Sequence, residues 1–471
     1  KLFGTPEQKK KYLPLFAKGA ISAFALTEPE AGSDPAAMST TATPVENGDY
    51  YLINGQKLWC TNGNIADYLV VMAKTPSKIV KGKEKAQITA FIVEKNMPGF
   101  EVAHRCNFMG LKGIQNGLLK FNNVKVPKEN IIWGLGQGLK LALITLNTGR
   151  LTVPAACTAM AKKSLAFVRD WSNKRVQWGA PVGHHEALTA KISLMTATTF
   201  AMDSVTWLAS AMVDQGKVDV RLEAAMAKLF CTEAAWRIAD DSMQIRGGRG
   251  YETADSLKGR GEEPIPVERF MRDARINLII EGTSEIMHLF IAREAMDPHL
   301  RRILPMISAK TPMPEKIKKA AEFFSHYGTW LPRQWMTLSR WKNYAKVSPT
   351  IKKHIVFIEQ AGHKLARELF LAMAVHQQGL EKRQQILFRF VNIGTDLFAM
   401  AASCSRAAYL TAENPSNGGA EELADLFCKE ATLRIQREFK SQRQNDDKMI
   451  YKIGRNMLDG KYRWLEMGIV K

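Results

Sequence analysis

The sequence has 471 residues, 46% of them hydrophobic and 24% charged, with a net charge of +20. That length suits two to four domains, and the composition is that of a soluble globular protein rather than a disordered or fibrous one. No run of 18 uncharged apolar residues occurs, and the opening KLFGTPEQKKKYLP lacks a secretory core, so neither a membrane span nor a leader is expected.

Residues 1–19 read as the tail of a helix and a loop. Residues 20–130 read as strands. YYLINGQKLWC alternates around Asn54-Gly55, which predicts a hairpin turn. DYLVVMAK, QITAFIVEK, GFEVAH and LLKFNNVKVP are further β-rich runs, so an antiparallel barrel or sandwich is expected. GLGQG (Gly134, Gly136, Gly138) has glycines like a dinucleotide fingerprint, but no βαβ unit follows, and it reads as the link into helices. The period turns helical from Gly136, then over 187–214, 220–245 and 266–296, which predicts a four-helix bundle. TADSLKGRGEEP (Thr253 to Pro264) reads as a charged surface loop. After DPHLRRILP, helical patterns at about 349–378, 381–411, 420–440 and 446–458 predict a helical extension, with TAENPSNGGAEE as a loop carrying a helix start. The expected fold class is α+β multidomain: 1–19, a β-domain over 20–130, a helical bundle over 131–297 and a helical C-terminal extension over 298–471.

Charge follows this division: +7 over 1–300 and +13 over 301–471. The basic section carries neither interleaved aromatics nor a known nucleic-acid module, so an anionic membrane surface or a phosphate-rich ligand is preferred to nucleic acid. The six cysteines are scattered without metal-ligand spacing, and read as reduced, mostly buried thiols. No metal site is expected.

Taken singly, the chemistry-bearing fragments are weak. FALTEPEAGSD (Phe24 to Asp34) is a strand ending in a turn whose hydroxyls and backbone amides suit a polar heterocycle or a phosphate. WCTNG puts the flat face of Trp59 and the hydroxyl of Thr61 on one side of a strand. KRVQWGAPVG brings Arg175 and Trp178 to a helix end, and QIRGGRGY sets Gln244 before Gly247-Gly248, a helix stop. In RINLIIEGTSEIMHLF, Glu281 sits among Ile279, Ile280 and Gly282. By itself it is equally a surface glutamate at a helix start.

In order, TEPEAGSD, WCTNG, LNTGR, QWGAPV, QIRGGRGY and VERFMRDARI…EGTSEI resemble the acyl-CoA dehydrogenase family over residues 1 to about 297. GQGLKLALITLNTGR and RLEAAMAKLFCTEAAWRIADDSMQIRGG look most like its very-long-chain branch. The resemblance implies FAD as cofactor, at the junction of a β-domain and a helical domain. Phe24, Leu26, Thr27, Trp59 and Thr61 would line the isoalloxazine, and Ser33 would lie where flavin and CoA chain meet. Arg175, Trp178, Gln244, Gly247 and Gly248 would hold the FAD of a neighbouring subunit, which implies a homodimer. Thr283 and Glu285 would lie near the adenosine diphosphate.

The same resemblance makes Glu281 the catalytic base, with Arg150 a buried arginine near it and Gly282 the point of close approach for the thioester. An α-proton of a thioester is feebly acidic, so a positioned and poorly solvated carboxylate is needed, with Ile279 and Ile280 expected to keep water away. Relatives open with a helical domain of which 1–19 would be the end, and KGIQNG replaces their usual Ser/Thr-bearing turn. The implied function is α,β-desaturation of a long fatty acyl-CoA to the trans-2-enoyl-CoA in β-oxidation. Electrons would go to an electron-transferring flavoprotein, in bacterial cytoplasm or mitochondrial matrix, with peripheral contact to anionic membrane. The rivals are a short- or branched-chain dehydrogenase, a flavoprotein scaffold and an acyl-CoA oxidase.

Overall fold

The structure is a computed structural model that describes all residues except 81, 217–218, 309–310, 337–346, 415–418 and 469–471. Helix α1 (Pro6–Ala17) opens on a capping box: Thr5 and Gln8 satisfy each other's backbone amides. The strands β1 (Ser22–Ala25), β2 (Thr41–Val45), β3 (Tyr50–Thr61), β4 (Tyr68–Val80), β5 (Lys83–Glu94), β6 (Phe100–Cys106), β7 (Asn116–Pro127) and β8 (Ile131–Ile132) follow. Then come α2 (Gly138–Lys174), a ribbon of β9 (Val176–Gln177) and β10 (Ala180–Pro181), α3 (Glu186–Gln215), α4 (Arg221–Arg246), α5 (Gly248–Tyr251) and α6 (Ala254–Gly259). The remainder is α7 (Val267–Arg275), α8 (Ser284–Ile307), α9 (Met313–Arg333), α10 (Pro349–His376), α11 (Gln384–Glu413), α12 (Gly419–Arg443) and α13 (Asp447–Leu458).

Two compact units result. The first comprises Lys1–Val153 with Gly247–Thr283. Its sheet runs β6-β7-β3-β2-β4-β5-β8, with β1 on β4. The sheet is mixed: β1 and β2 both run parallel to β4, where an antiparallel barrel or sandwich was expected. The chain reaches β4 from β1 and β2 through crossovers, and a crossover restores strand direction where a hairpin reverses it. One face buries Ile53, Leu69, Val71, Phe91, Val93 and Leu119. At about 1.5–3 kcal/mol for each large aliphatic or aromatic side chain, that face is the main driving force for the unit.

Asn54-Gly55 is not a hairpin turn. Strand β3 runs straight through it, with a register shift between Ile53 and Gly55. Gly55 has φ +145°, and a Cβ there would collide with Thr40. Asn54 exchanges hydrogen bonds with Asn123 on β7 at 3.0 and 2.8 Å, so its polar side chain stabilises a bulge. The segment 253–264 is also more ordered than a surface loop. Thr253 caps α6, Leu257 is buried, and Arg249 and Arg260 pair with Glu252 and Glu262.

The second unit comprises Pro154–Arg246 with Ser284–Lys471. Its core packs Met226, Leu229, Met287, Ile291, Phe390 and Val391 from α4, α8 and α11. Helix α11 is long and apolar enough to cross a membrane by length and composition alone, yet 56% of its apolar window is buried inside the protein. The helical patterns of the extension correspond to α10 to α13. Residues 415–418 of the expected loop lie outside the described residues. The helix expected over 266–296 is interrupted between Arg275 and Ser284, and α8 continues to Ile307.

Candidate active site

The interruption begins with a 3-10 turn over Ile276–Leu278 and ends at Glu281 and Gly282, which take φ +56° and +99°. Left-handed conformations cost a non-glycine residue on the order of 1–2 kcal/mol, and such strain concentrates at functional sites. Helix α7 leads into this loop and is clamped within its own unit. The Leu111 N–H donates to Asp273 Oδ1 at 2.6 Å, and Arg272 Nη1 donates to the Met109 carbonyl at 3.0 Å. Gly110 permits that approach, because a Cβ there would strike the Arg272 carbonyl.

The Glu281 carboxylate lies against Gly149 of α2. A Cβ added to Gly149 would overlap both carboxylate oxygens. Arg150, the next residue, is buried. Ile279 and Ile280 are 47% and 37% exposed, while Glu281 Oε2 itself is buried. Helix α7 has already ended at Arg275, and a short 3-10 turn over Ile276–Leu278 leads into these two residues.

On the sheet of the same unit, β1 alternates. Ala23 and Ala25 face the main core, while Phe24 and Leu26 pack against the cluster around Met38 and Met72. Thr27 follows, and its carbonyl accepts from the Leu58 N–H at 2.9 Å. Trp59 sits in a bulge of β3 with φ +53° and is 57% exposed. Cys60 turns inward and Thr61 outward, so Trp59 and Thr61 flank one open side. Thr61 Oγ1 donates to Asn116 Oδ1 at 3.1 Å. Ser33 is exposed on the turn after Glu28. Gly247 ends α4 with φ +61°, and a Cβ on Gly247 or Gly248 would meet open space.

In the second unit, Trp171 donates to the Ile245 carbonyl at 3.2 Å and carries Arg175 and Arg246 over its ring. Gln244 is exposed nearby on α4, and Trp178 is 91% exposed at the tip of the β9–β10 ribbon. Glu285 lies in the first turn of α8, where a carboxylate favours the helix dipole. It lines a cavity of about 650 Å³ with Ser284, His288, Arg237, Arg434 and Arg437. A hydrogen-bonded chain fixes this end of α8. Ser284 donates to Glu233 at 2.5 Å, His288 bridges the Ser284 carbonyl and Asn392 Oδ1 at 2.7 and 2.8 Å, and Asn392 donates to Glu438 at 2.9 Å.

Comparison with known proteins decides the family. Residues 23–124 match the acyl-CoA dehydrogenase middle domain, 136–296 its C-terminal domain, and 349–461 the ACAD9/ACADV C-terminal domain. The chain is 48% identical over 471 residues to a probable acyl-CoA dehydrogenase FadE10 of Mycobacterium tuberculosis, covering all of this chain and 72% of that one. The chain belongs to the acyl-CoA dehydrogenase family. It is 34% identical over 448 residues to the mitochondrial very long-chain specific acyl-CoA dehydrogenase of Homo sapiens, covering 94% of this chain and 66% of that one. A solved acyl-CoA dehydrogenase of Bacillus anthracis, complexed with FAD, superposes with a TM-score of 0.75 at 27% identity, covering 96% of this chain and 74% of that one.

Three positions of this acyl-CoA dehydrogenase escaped sequence reasoning. Gly149 leaves room for the Glu281 carboxylate, and its signal was a glycine inside a helical pattern. Glu28 and Lys57 form a buried pair at 2.7 Å, and its signal was a lysine at an inward position of an alternating strand. The Glu28 carboxyl would be raised by burial, but hydrogen bonds from Lys57, Thr40 and Ser39 outweigh that and hold it at about 2. Burial pushes the Lys57 ammonium down.

Proposed function

We propose that this acyl-CoA dehydrogenase removes an α-proton and a β-hydrogen from a long-chain fatty acyl-CoA to give the trans-2-enoyl-CoA, with Glu281 as base. The seat of the Glu281 carboxylate against Gly149, on a left-handed backbone, carries this reading. Such a seat holds the oxygens in one place, and positioned bases are the efficient ones.

The residues present suit FAD. Trp59 offers an indole face beside Thr61 and Thr27, and Gly247 and Gly248 leave backbone uncovered for close approach. Thr27, Trp59 and Thr61 would hold the isoalloxazine, with Phe24 and Leu26 backing that strand and Ser33 at the meeting point with the CoA chain. Thr283 and Glu285 would hold the adenosine diphosphate end. Arg175, Trp178, Gln244, Gly247 and Gly248 would hold the FAD of a second copy, and the exposure of Trp178 fits a homodimer that sediments at twice the chain mass. FAD, when bound, supplies the acceptor that takes the β-hydrogen as hydride. The Glu281 carboxylate accepts the α-proton. The Glu281 backbone N–H donates to the thioester carbonyl as negative charge builds there, and Gly282 lets the thioester come near. Arg150, buried beside Gly149, compensates charge in the pocket. In this reading 20–130 serves as the flavin and acyl-CoA side, 131–297 carries FAD and base, and 298–471 is the extension. Electrons would pass on to an electron-transferring flavoprotein.

Anaerobic addition of a C16 acyl-CoA to FAD-loaded protein is expected to bleach the flavin. Bleaching by C4 but not C16 would refute the long-chain substrate, and no bleaching by either would favour a scaffold. Glu281→Gln should keep FAD and lose bleaching by roughly the 10²–10⁴-fold that general base catalysis contributes. The exposed apolar residues Ile450, Ile453, Leu458 and Trp464, interleaved with Lys448, Lys452, Arg455 and Lys461, support peripheral contact of the extension with an anionic membrane.

A further inference from the structure

The segment carrying Thr27 and Ser33 is fastened by a charge pair to which the proposed chemistry gives no task. Lys57 on β3 and Glu28 after β1 have side chains 0% and 1% exposed, with Nζ 2.7 Å from Oε1. The same ammonium donates to the Leu26 carbonyl at 3.1 Å. Glu28 also accepts from the Ser39 hydroxyl at 2.7 Å, the Thr40 N–H at 3.1 Å and the Ser39 N–H. One lysine therefore grips the residue before Thr27 and the residue after it. The Thr27 carbonyl is taken by Leu58, the neighbour of Lys57. Thr27 is located by a single dipeptide through two backbone carbonyls, its own and that of Leu26, and through the side chain of Glu28. Trp59 comes next on that dipeptide's strand, where the ladder shifts between Lys57 and Cys60.

Stability does not explain the pair. Desolvating two charges costs several kcal/mol per ion, and well-packed apolar replacements of a buried pair are often as stable or more so. What ions supply and methyl groups do not is direction. An ammonium with two defined acceptors specifies where each must sit, and the carboxylate's further hydrogen bonds with Ser39 and Thr40 carry that specification to the start of β2.

We propose that Glu28 and Lys57 are positioning residues: they set Thr27 against Trp59, and so govern how the flavin is held rather than whether the domain folds. This rests on the reading of Thr27 and Trp59 as flavin contacts. The test uses the full chain and the paired variant Glu28→Gln with Lys57→Met, which removes both charges together. It is expected to melt close to wild type, while its FAD dissociation constant rises roughly tenfold and the visible circular dichroism of its bound flavin changes. Lys57→Arg keeps the charge but not the point geometry of an ammonium, and should change the same dichroism at unchanged melting temperature. A paired variant or Lys57→Arg with wild-type FAD affinity and dichroism overturns the proposal, as does a Lys57→Arg that fails to fold. Both readouts precede turnover. If wild type binds FAD but no acyl-CoA bleaches it, the desaturase reading fails, while these readouts still judge the pair.

Discussion

At Glu281 two residues far apart in sequence solve one problem. Glu281, the base of the proposed reading, has a left-handed backbone that Gly282 continues, and its carboxylate rests against the side-chain-free surface of Gly149. Gly149 lies inside α2, where alanine is the better helix former by about 1 kcal/mol. Gly149→Ala should therefore keep or raise the melting temperature. The added methyl displaces the far end of a flexible side chain rather than backbone, so the fold survives and the carboxylate moves. Bleaching by C16 acyl-CoA is expected to slow on the order of a hundredfold, as a displacement of about 1 Å can cost. Unimpaired bleaching in a folded Gly149→Ala protein would remove Gly149 from that role. Sequence reading reached Glu281 through its motif but not Gly149, because a glycine inside a helix shows its purpose only when the group above it is known.

The turn between β1 and β2 responds to acid through Glu28. Its carboxyl lies at about 2 in the folded protein against an ordinary 4.5. A depressed carboxyl stabilises the fold at pH values above 4.5, and that contribution is lost as pH falls from 4.5 toward 2. The loss is roughly 3 kcal/mol at about 1.36 kcal/mol per pH unit. Urea unfolding across that window should show wild type losing this much more stability than the paired Glu28→Gln, Lys57→Met variant; parallel curves would refute it. At the same scale, periodicity located most strands and helices correctly because burial imposes periods of 2 and 3.6. It failed at Asn54-Gly55, whose composition suits a turn and a bulge equally. Only pairing with Asn123 on β7 and the close approach of Thr40 decide between them. It failed also at 266–296, where apolar spacing continues across a helix break that runs from a 3-10 turn at Ile276–Leu278 to the two left-handed residues Glu281 and Gly282.

Across the whole molecule, the basic excess of 301–471 meets exposed apolar residues on α13 and the segment after it. The full chain should float with vesicles containing anionic phospholipid and not with neutral ones, and high salt should release it. Equal flotation with both, or with neither, would exclude an anionic membrane as partner. Length, order of motifs and hydrophobic period were enough to expect the family, FAD, a β-section followed by helices, and Glu281 as base. These are local or ordered features, and a linear chain records them directly. The parallel pairing of β1 and β2 with β4, the bulge at Gly55, the exposure of Ile279 and Ile280, the seat of Glu281 on Gly149 and the Glu28–Lys57 pair came only from tertiary structure. Each depends on residues 15 or more apart being brought together, or on burial that neighbours in space and not in sequence determine.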